Sequence, residues 1–301
     1  MEEIYLSPRD SLCEVFSRVK PHTRIILAEG DYREKLEISV PDIEIIGAGA
    51  EKTRIIYDDY AKKIDEQGLE YVTFRTYTAA VLAPRVTMRD LTVENDAKFP
   101  EIKGQEVALT VYANDFLAEN CSFVSTQDTI FCGPLPPDLI ERYDGFLKDA
   151  LRTGDYQKQI FKNCFISGNV DFIFGCGDAL FENCEIKSLF DVRGHGYTAA
   201  PAHALSQEIC FVFHKCRFTA EEGVADGSIF LARPWRDYGK CSYIDCEYGA
   251  HISAEGFDKW NDTERDKTAR FSESGEKPAG RVPWSKVLSD EEKAKLLDYF
   301  R

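Results

Sequence analysis

Residues 162–186 read K-N-C-F-I-S-G-N-V-D-F-I-F-G-C-G-D-A-L-F-E-N-C-E-I, and the reading of this stretch decides the fold. It holds two copies of one short pattern, K-N-C-F-I and E-N-C-E-I, centred on Cys164 and Cys184. Between them, V-D-F-I-F-G sets Asp171 among Val170, Phe172, Ile173 and Phe174. A carboxylate buried in such a run is costly unless something partners it. Asp171 therefore has a partner, a raised pKa or a task, unless it sits at a strand end and reaches water.

The pattern extends outward in both directions. M-R-D-L-T-V-E-N (88–95), E-N-C-S-F (119–123), H-K-C-R-F (214–218) and I-D-C-E-Y (244–248) resemble the two central copies, and the cysteine recurs at 164, 184, 216 and 246. Self-similarity at about twenty residues or more marks a solenoid. The apolar runs are short, rich in Ile and Val and closed by Gly or Asp, as strands with tight turns are. No helical period separates them, which favours an all-β, single-stranded parallel β-helix over a βαβ fold, with a β-sandwich as the alternative. Equivalent positions should then stack Cys on Cys and Asn on Asn inside the coil.

Helices are expected only at the ends. Leu12, Val15, Phe16 and Val19 recur at helical spacing within 9–20, predicting an N-terminal capping helix. Residues 286–301 should form a C-terminal helix, with Ser289 as N-cap and Leu296, Leu297 and Phe300 on one side. The whole chain, 1–301, reads as a single domain. G-P-L-P-P-D-L-I-E-R-Y-D-G-F-L-K-D-A-L-R-T-G-D (133–155) is an insertion between coils, expected near the cleft, where Arg142, Lys148 or Arg152 could meet a substrate carboxylate. The polar stretch 258–277 should be an exposed loop.

Bulk properties exclude whole classes of function. The formal net charge of −15 disfavours nucleic acid, which needs a basic surface. No apolar run reaches the roughly eighteen residues of a membrane span. The opening M-E-E-I-Y-L-S-P-R-D has neither a basic n-region nor an apolar h-region, so a cytoplasmic location is expected, or a secreted one if a leader was removed. The ten cysteines include no C-x-x-C pair, and read as reduced, buried and structural in a reducing compartment. No metal motif and no organic cofactor motif is evident, and oligomeric state is left open.

The chemistry gathers around Asp171. S-T-Q-D-T-I-F (125–131) places Gln127 and Asp128 just past one repeat, as Asp171 lies just past another. On neighbouring coils the two aspartates would share a face, about one strand spacing of ~4.8 Å apart. Carboxylates that close push their pKa values apart, leaving one anionic and one able to carry a proton. L-A-R-P-W (231–235) supplies Arg233 to hold a carboxylate and Trp235 as a flat surface for a sugar ring. G-Q-E-V-A-L-T-V (104–111) supplies Gln105, and with Gln127 it could donate amide N–H groups to an oxyanion. Such a site suits a glycosidase as well as an esterase. None of the five histidines sits in a recognisable Ser/His arrangement, and no G-x-S-x-G elbow occurs.

G-D-Y-R-E (30–34), G-Q-E-V-A-L (104–109), Q-D-T-I-F (127–131), G-N-V-D-F-I-F-G (168–175) and L-A-R-P-W (231–235) occur in the order seen in pectin methylesterases. E-G-F-D-K-W (255–260) resembles a later segment of that family. The resemblance implies a right-handed parallel β-helix that demethylates esterified galacturonate in pectin or oligogalacturonides without a cofactor. By that resemblance Asp171 is the nucleophile, Asp128 the acid/base, Gln105 and Gln127 the oxyanion donors, Arg233 the holder of the nucleophile, and Trp235, Phe172 and Phe131 substrate contacts. Phe131 stands where the family usually has Tyr, Cys176-Gly177-Asp178 replaces a common N-A, and L-A-R-P-W replaces L-G-R-P-W. The competing expectations are a polygalacturonase- or pectate-lyase-like enzyme on the same fold, and a pectin-binding solenoid without activity.

Overall fold

A computed structural model describes residues 1–97, 104–142 and 157–301. The chain winds as a parallel β-helix. Lys158–Lys162 lies in one sheet, Phe165–Gly168 in a second and Val170–Gly175 in a third; Asp178–Glu182 then returns to pair with Lys158–Lys162. Residues 162–186 are thus little more than one turn of the solenoid. Sheet A has eleven strands, from Glu2–Leu6 to Lys286–Val287. Sheet B has eight, from Gly30–Tyr32 to Glu247–Tyr248, and sheet C seven, from Leu36–Ile38 to Ile229–Ala232.

The repeat is explained by the corner between sheets A and B. Asp90, Asn120, Asn163, Asn183, Lys215 and Asp245 all adopt left-handed backbone, with φ between 52° and 54°. Asn and Asp tolerate this region better than other non-glycine residues, because their short polar side chains bond locally. The next residue turns inward, and Cys121, Cys164, Cys184 and Cys216 are buried there. Each of the last three donates its thiol to the carbonyl of the coil before, as Cys184 does to Phe161 at 3.4 Å. Cys stacks on Cys as expected, but the asparagines do not stack inside. Asn120, Asn163 and Asn183 are exposed, since a left-handed corner residue points its side chain to solvent. All ten cysteines are free.

Register repeats the core as well as the corner. Phe161, Phe181, Phe213 and Tyr243 are paired across successive sheet A strands. Their rings stack at 4.8, 4.9 and 4.7 Å, nearly parallel, at the spacing that strand pairing imposes.

The ends differ from expectation in detail. The N-terminal helix α1 spans only Leu12–Phe16, capped by Ser11, and a sheet A strand precedes it. A second helix, α2, Pro137–Arg142, opens the insertion, whose Lys148 and Arg152 lie outside the described residues. The C-terminal helix α3 is Asp290–Tyr299, shorter than 286–301 because Lys286–Val287 joins sheet A. Ser289 and Glu292 close a capping box at its start, while Leu296 and Phe300 are buried. Tyr299 donates its hydroxyl to buried Asp178 at 2.8 Å, tying α3 to the coil that follows Asp171. The stretch 258–277 is not simply a loop. Arg270–Glu273 is a sheet A strand with Phe271 buried, and Trp260 and Arg265 stand at the cleft.

Candidate active site

The site grows from the corner leading into sheet C, on two adjacent coils. Ile130 pairs with Ile173, and Asp128 and Asp171 stand at matching positions before those residues. The Asp128 N–H donates to the Val170 carbonyl at 3.1 Å, and Glu106 N–H on the coil before donates to the Gln127 carbonyl at 3.1 Å. Gln105, Gln127 with Asp128, and Asp171 therefore rise along one edge in three successive coils. Both aspartates have left-handed backbone, with φ of 64° and 51°. That conformation costs about 1–2 kcal/mol outside glycine, and here it turns both carboxyls outward.

The glycines of G-N-V-D-F-I-F-G bracket this turn. A Cβ on Gly168 would lie 2.2 Å from Phe172 Cβ and 2.8 Å from the Thr126 carbonyl. Gly175 has φ +123°, and a Cβ there would lie 2.1 Å from the Cys132 carbonyl. Between them the strand bulges. Asp171 and Phe172 together oppose Thr198, because Val170 pairs with Tyr197 and Ile173 with Ala199. The bulge lets Asp171 and Phe174 face the cleft while Phe172 and Ile173 both turn into the core.

Arg233, just beyond Ile229–Ala232, forms a two-pronged ion pair with Asp171: Nε donates to Oδ1 at 2.8 Å and Nη2 to Oδ2 at 2.6 Å. Burial pushes the Asp171 carboxyl up, and the hydrogen bonds and charge of Arg233 pull it back. Asp128 is pushed well above the carboxylate range, by burial first and by the Asp171 charge second; the Arg233 charge and the Gln127 amide oppose this without cancelling it. The arrangement favours an anion on Asp171 and a proton on Asp128.

These groups open into a cleft of about 580 Å³, lined also by Gln105, Phe174, Trp235 and Trp260. Phe174 meets Trp235 edge-on at 5.7 Å. Asp138 of α2 accepts both prongs of Arg236, at 3.0 and 2.5 Å, and Asp138, Leu139 and Arg142 line the cleft. A cavity of similar size, about 520 Å³, lies beside α3, where Lys295 pairs with Glu208 and Lys286 with Glu292. No aspartate pair lines it.

Six of the eight residues singled out in the sequence come together here: Asp171, Asp128, Gln105, Gln127, Arg233 and Trp235. Two do not. Phe172 has no exposed surface and belongs to the inner core, because the bulge turns it inward. Phe131 is also fully buried, packed under Phe74 at 5.3 Å and Phe174 at 4.9 Å, so it supports the cleft floor without reaching it. Sequence reasoning passed over Phe174, one turn of alternation beyond the bulge. It also assigned no role to Tyr197 or Trp260, whose rings lie 3.8 and 4.0 Å from the Arg233 guanidinium. Trp260 closes the quoted E-G-F-D-K-W segment; Tyr197, within the wholly buried Gly196–Pro201 strand, carried no signal.

The Pectinesterase family model matches residues 6–134 and 142–299. The chain belongs to the pectinesterase family. It is 30% identical to Pectinesterase 31 of Arabidopsis thaliana over 300 residues, covering 96% of this chain and 85% of that protein. It is 29% identical to Pectinesterase QRT1 of the same plant, covering 89% of this chain and 66% of that one. With Probable pectinesterase/pectinesterase inhibitor 64 the identity is again 29%, over 43% of the relative's length. Pectin methylesterase PemA from Erwinia chrysanthemi shares the fold, with a TM-score of 0.80 at 23% identity over 98% of this chain and 95% of that one. A pectin methylesterase solved with hexasaccharide VII gives 0.79, over 95% and 90%. The enzyme is a carboxylic ester hydrolase acting on methyl-esterified galacturonate. The cytoplasmic location expected from the first residues is overturned, because the homologous plant pectinesterases are extracellular cell-wall enzymes. Eight of the ten thiols are buried, while Cys13 is exposed and Cys246 half-buried.

Proposed function

We propose that Asp171 is the nucleophile of this methylesterase and Asp128 its general acid and base. The Asp171 carboxylate attacks the ester carbonyl, and the developing oxyanion takes amide N–H bonds from Gln105 and Gln127. As the intermediate collapses, Asp128 gives its proton to the departing methoxide. Methanol leaves, and the galacturonyl carbonyl stays joined to Asp171 as an anhydride. Asp128, now anionic, takes a proton from water; the water oxygen attacks the galacturonyl carbonyl, and Asp171 leaves as carboxylate. Trp235 offers the sugar an apolar face.

What supports this reading is the split between the two carboxyls: Arg233 grips Asp171 with both prongs, while Asp128 beside it is driven up by burial and by its neighbour's charge. The test is methanol release from a methylated oligogalacturonide by Asp171→Asn, with chain length followed in parallel. Release should fall to background in the variant, and the wild type should leave chain length intact. Substantial methylesterase activity in the variant would overturn the assignment. New reducing ends or unsaturated products from the wild type would point instead to a hydrolase or lyase of the glycosidic bond.

A further inference from the structure

We infer that Trp260, together with Tyr197, is a positioning residue for this hydrolysis: the two rings clamp the Arg233 guanidinium so that its prongs stay on Asp171. The inference rests on the reading of Asp171 as nucleophile. A guanidinium carries five N–H donors, of which two are used on Asp171. Asp128 is close enough for the Arg233 charge to act on it. An Arg233 free to swing toward Asp128 would favour an anion on the wrong carboxyl. Two rings centred 3.8 and 4.0 Å from the guanidinium carbon attract the cation and restrict its movement away from the carboxylate it holds.

The segment carrying Trp260 is built to hold that ring in place. Trp260 has φ +70° and Asn261 φ +57°, a conformation that bulky side chains rarely adopt and that persists only where the surroundings impose it. The surroundings here do impose it. The Trp260 N–H donates to Asp258 Oδ1 at 2.6 Å, and the Asp258 N–H donates to the carbonyl of Ala232, the residue before Arg233, at 3.0 Å. Arg265 Nη1 donates to the carbonyls of Pro234 and Trp235 at 3.0 and 3.1 Å, tying the same loop to the stretch after Arg233. The second ring, Tyr197, stacks on Phe230 at 5.6 Å and is only 7% exposed. A platform for sugar is the rival role for Trp260, which also lines the cleft, and the split between kcat and KM separates the two.

The experiment is a set of double-mutant cycles. Trp260→Leu, Trp260→Phe and Tyr197→Leu are each made in the wild type and in Arg233→Lys, and kcat and KM are measured on a methylated oligogalacturonide. Leucine keeps bulk without a π face, phenylalanine keeps the face, and lysine offers no plane to clamp. Either leucine variant should lower kcat on the order of tenfold with KM nearly unchanged. Trp260→Phe should recover most of the loss, and Trp260→Leu should cost little more in the Arg233→Lys background. A raised KM at unchanged kcat, or equal fold-losses in both backgrounds, overturns the clamp. Should Trp260→Leu not fold, the Tyr197→Leu cycle decides by the same criteria. Asp171→Asn is measured alongside: an inactive Asp171→Asn with additive cycles defeats the clamp alone, whereas an active one defeats the nucleophile reading.

Discussion

Replacing Asp128 by Asn should cost activity and add stability, and the second effect should grow with pH. The side chain is 8% exposed, and burial followed by the Asp171 charge raises its pKa in the folded state. In the unfolded chain it titrates near the ordinary value of about 3.9. Below that pH both states hold the proton and the group is neutral toward stability. Above it the unfolded chain releases the proton while the folded protein keeps it, so rising pH favours unfolding by up to about 1.4 kcal/mol per unit. That loss continues until the raised folded pKa is passed. Asn has no proton to release, so urea midpoints of Asp128→Asn and wild type should diverge as pH rises above the unfolded value of about 3.9, with the variant gaining. Methyl ester turnover should fall by about 10²–10⁴, the usual worth of general acid help. An ester whose leaving group needs no proton should still give the variant a burst of roughly one equivalent, followed by slow turnover because no base serves the water step. A stability difference that is flat or reversed with pH would refute the reasoning about the proton. Turnover of the methyl ester within tenfold of wild type would refute the role.

The bulge at Asp171 and Phe172 predicts opposite phenotypes for neighbouring aromatics. Phe172→Ala should cost about 3–5 kcal/mol in a urea melt while the folded fraction keeps its KM, and Phe174→Ala should raise KM; a raised KM in the first and none in the second would restore Phe172 to the cleft. Gly168→Ala should lower kcat strongly, because its Cβ would meet the Thr126 carbonyl and Phe172 Cβ within 2.8 Å and displace the turn presenting Asp171. Wild-type kcat there would show that the turn is not held by that close approach.

Much of the fold was legible because a solenoid writes each structural requirement several times over. The corner between sheets A and B needs left-handed backbone, and Asn or Asp fills it in five of the six coils discussed above, with Lys215 the exception. Stacked rings in sheet A recur because register copies one position to the next. What repetition does not cover was read less well. The strand at Arg270–Glu273 lies in so charged a stretch that only Phe271 betrays its inward face. Helix ends likewise moved by a few residues, since Lys286–Val287 pairs with sheet A where the periodicity would continue α3.

At the site, the residues that were legible are those that break the local rule: an acid in an apolar strand, a second acid at the matching position, and an arginine to meet them. Simple alternation beyond Asp171 then misleads, because the bulge inserts one residue and both Phe172 and Ile173 turn inward. The shift follows from Asp171 itself. A carboxyl that must point outward from a left-handed corner takes the place of a residue paired with the following coil, and pairing with Gly196–Pro201 resumes only at Ile173. The groups that steady Arg233 were hidden for a different reason. Tyr197 reads as one more core residue in a buried strand, and Trp260 as one aromatic in a polar stretch. Sixty-three positions separate them in sequence, from Tyr197 to Trp260, and only the winding of the coils brings both rings to one guanidinium, at 3.8 and 4.0 Å. The two carboxyls thus stand out in the sequence, whereas the rings gathered around Arg233 become visible only in space.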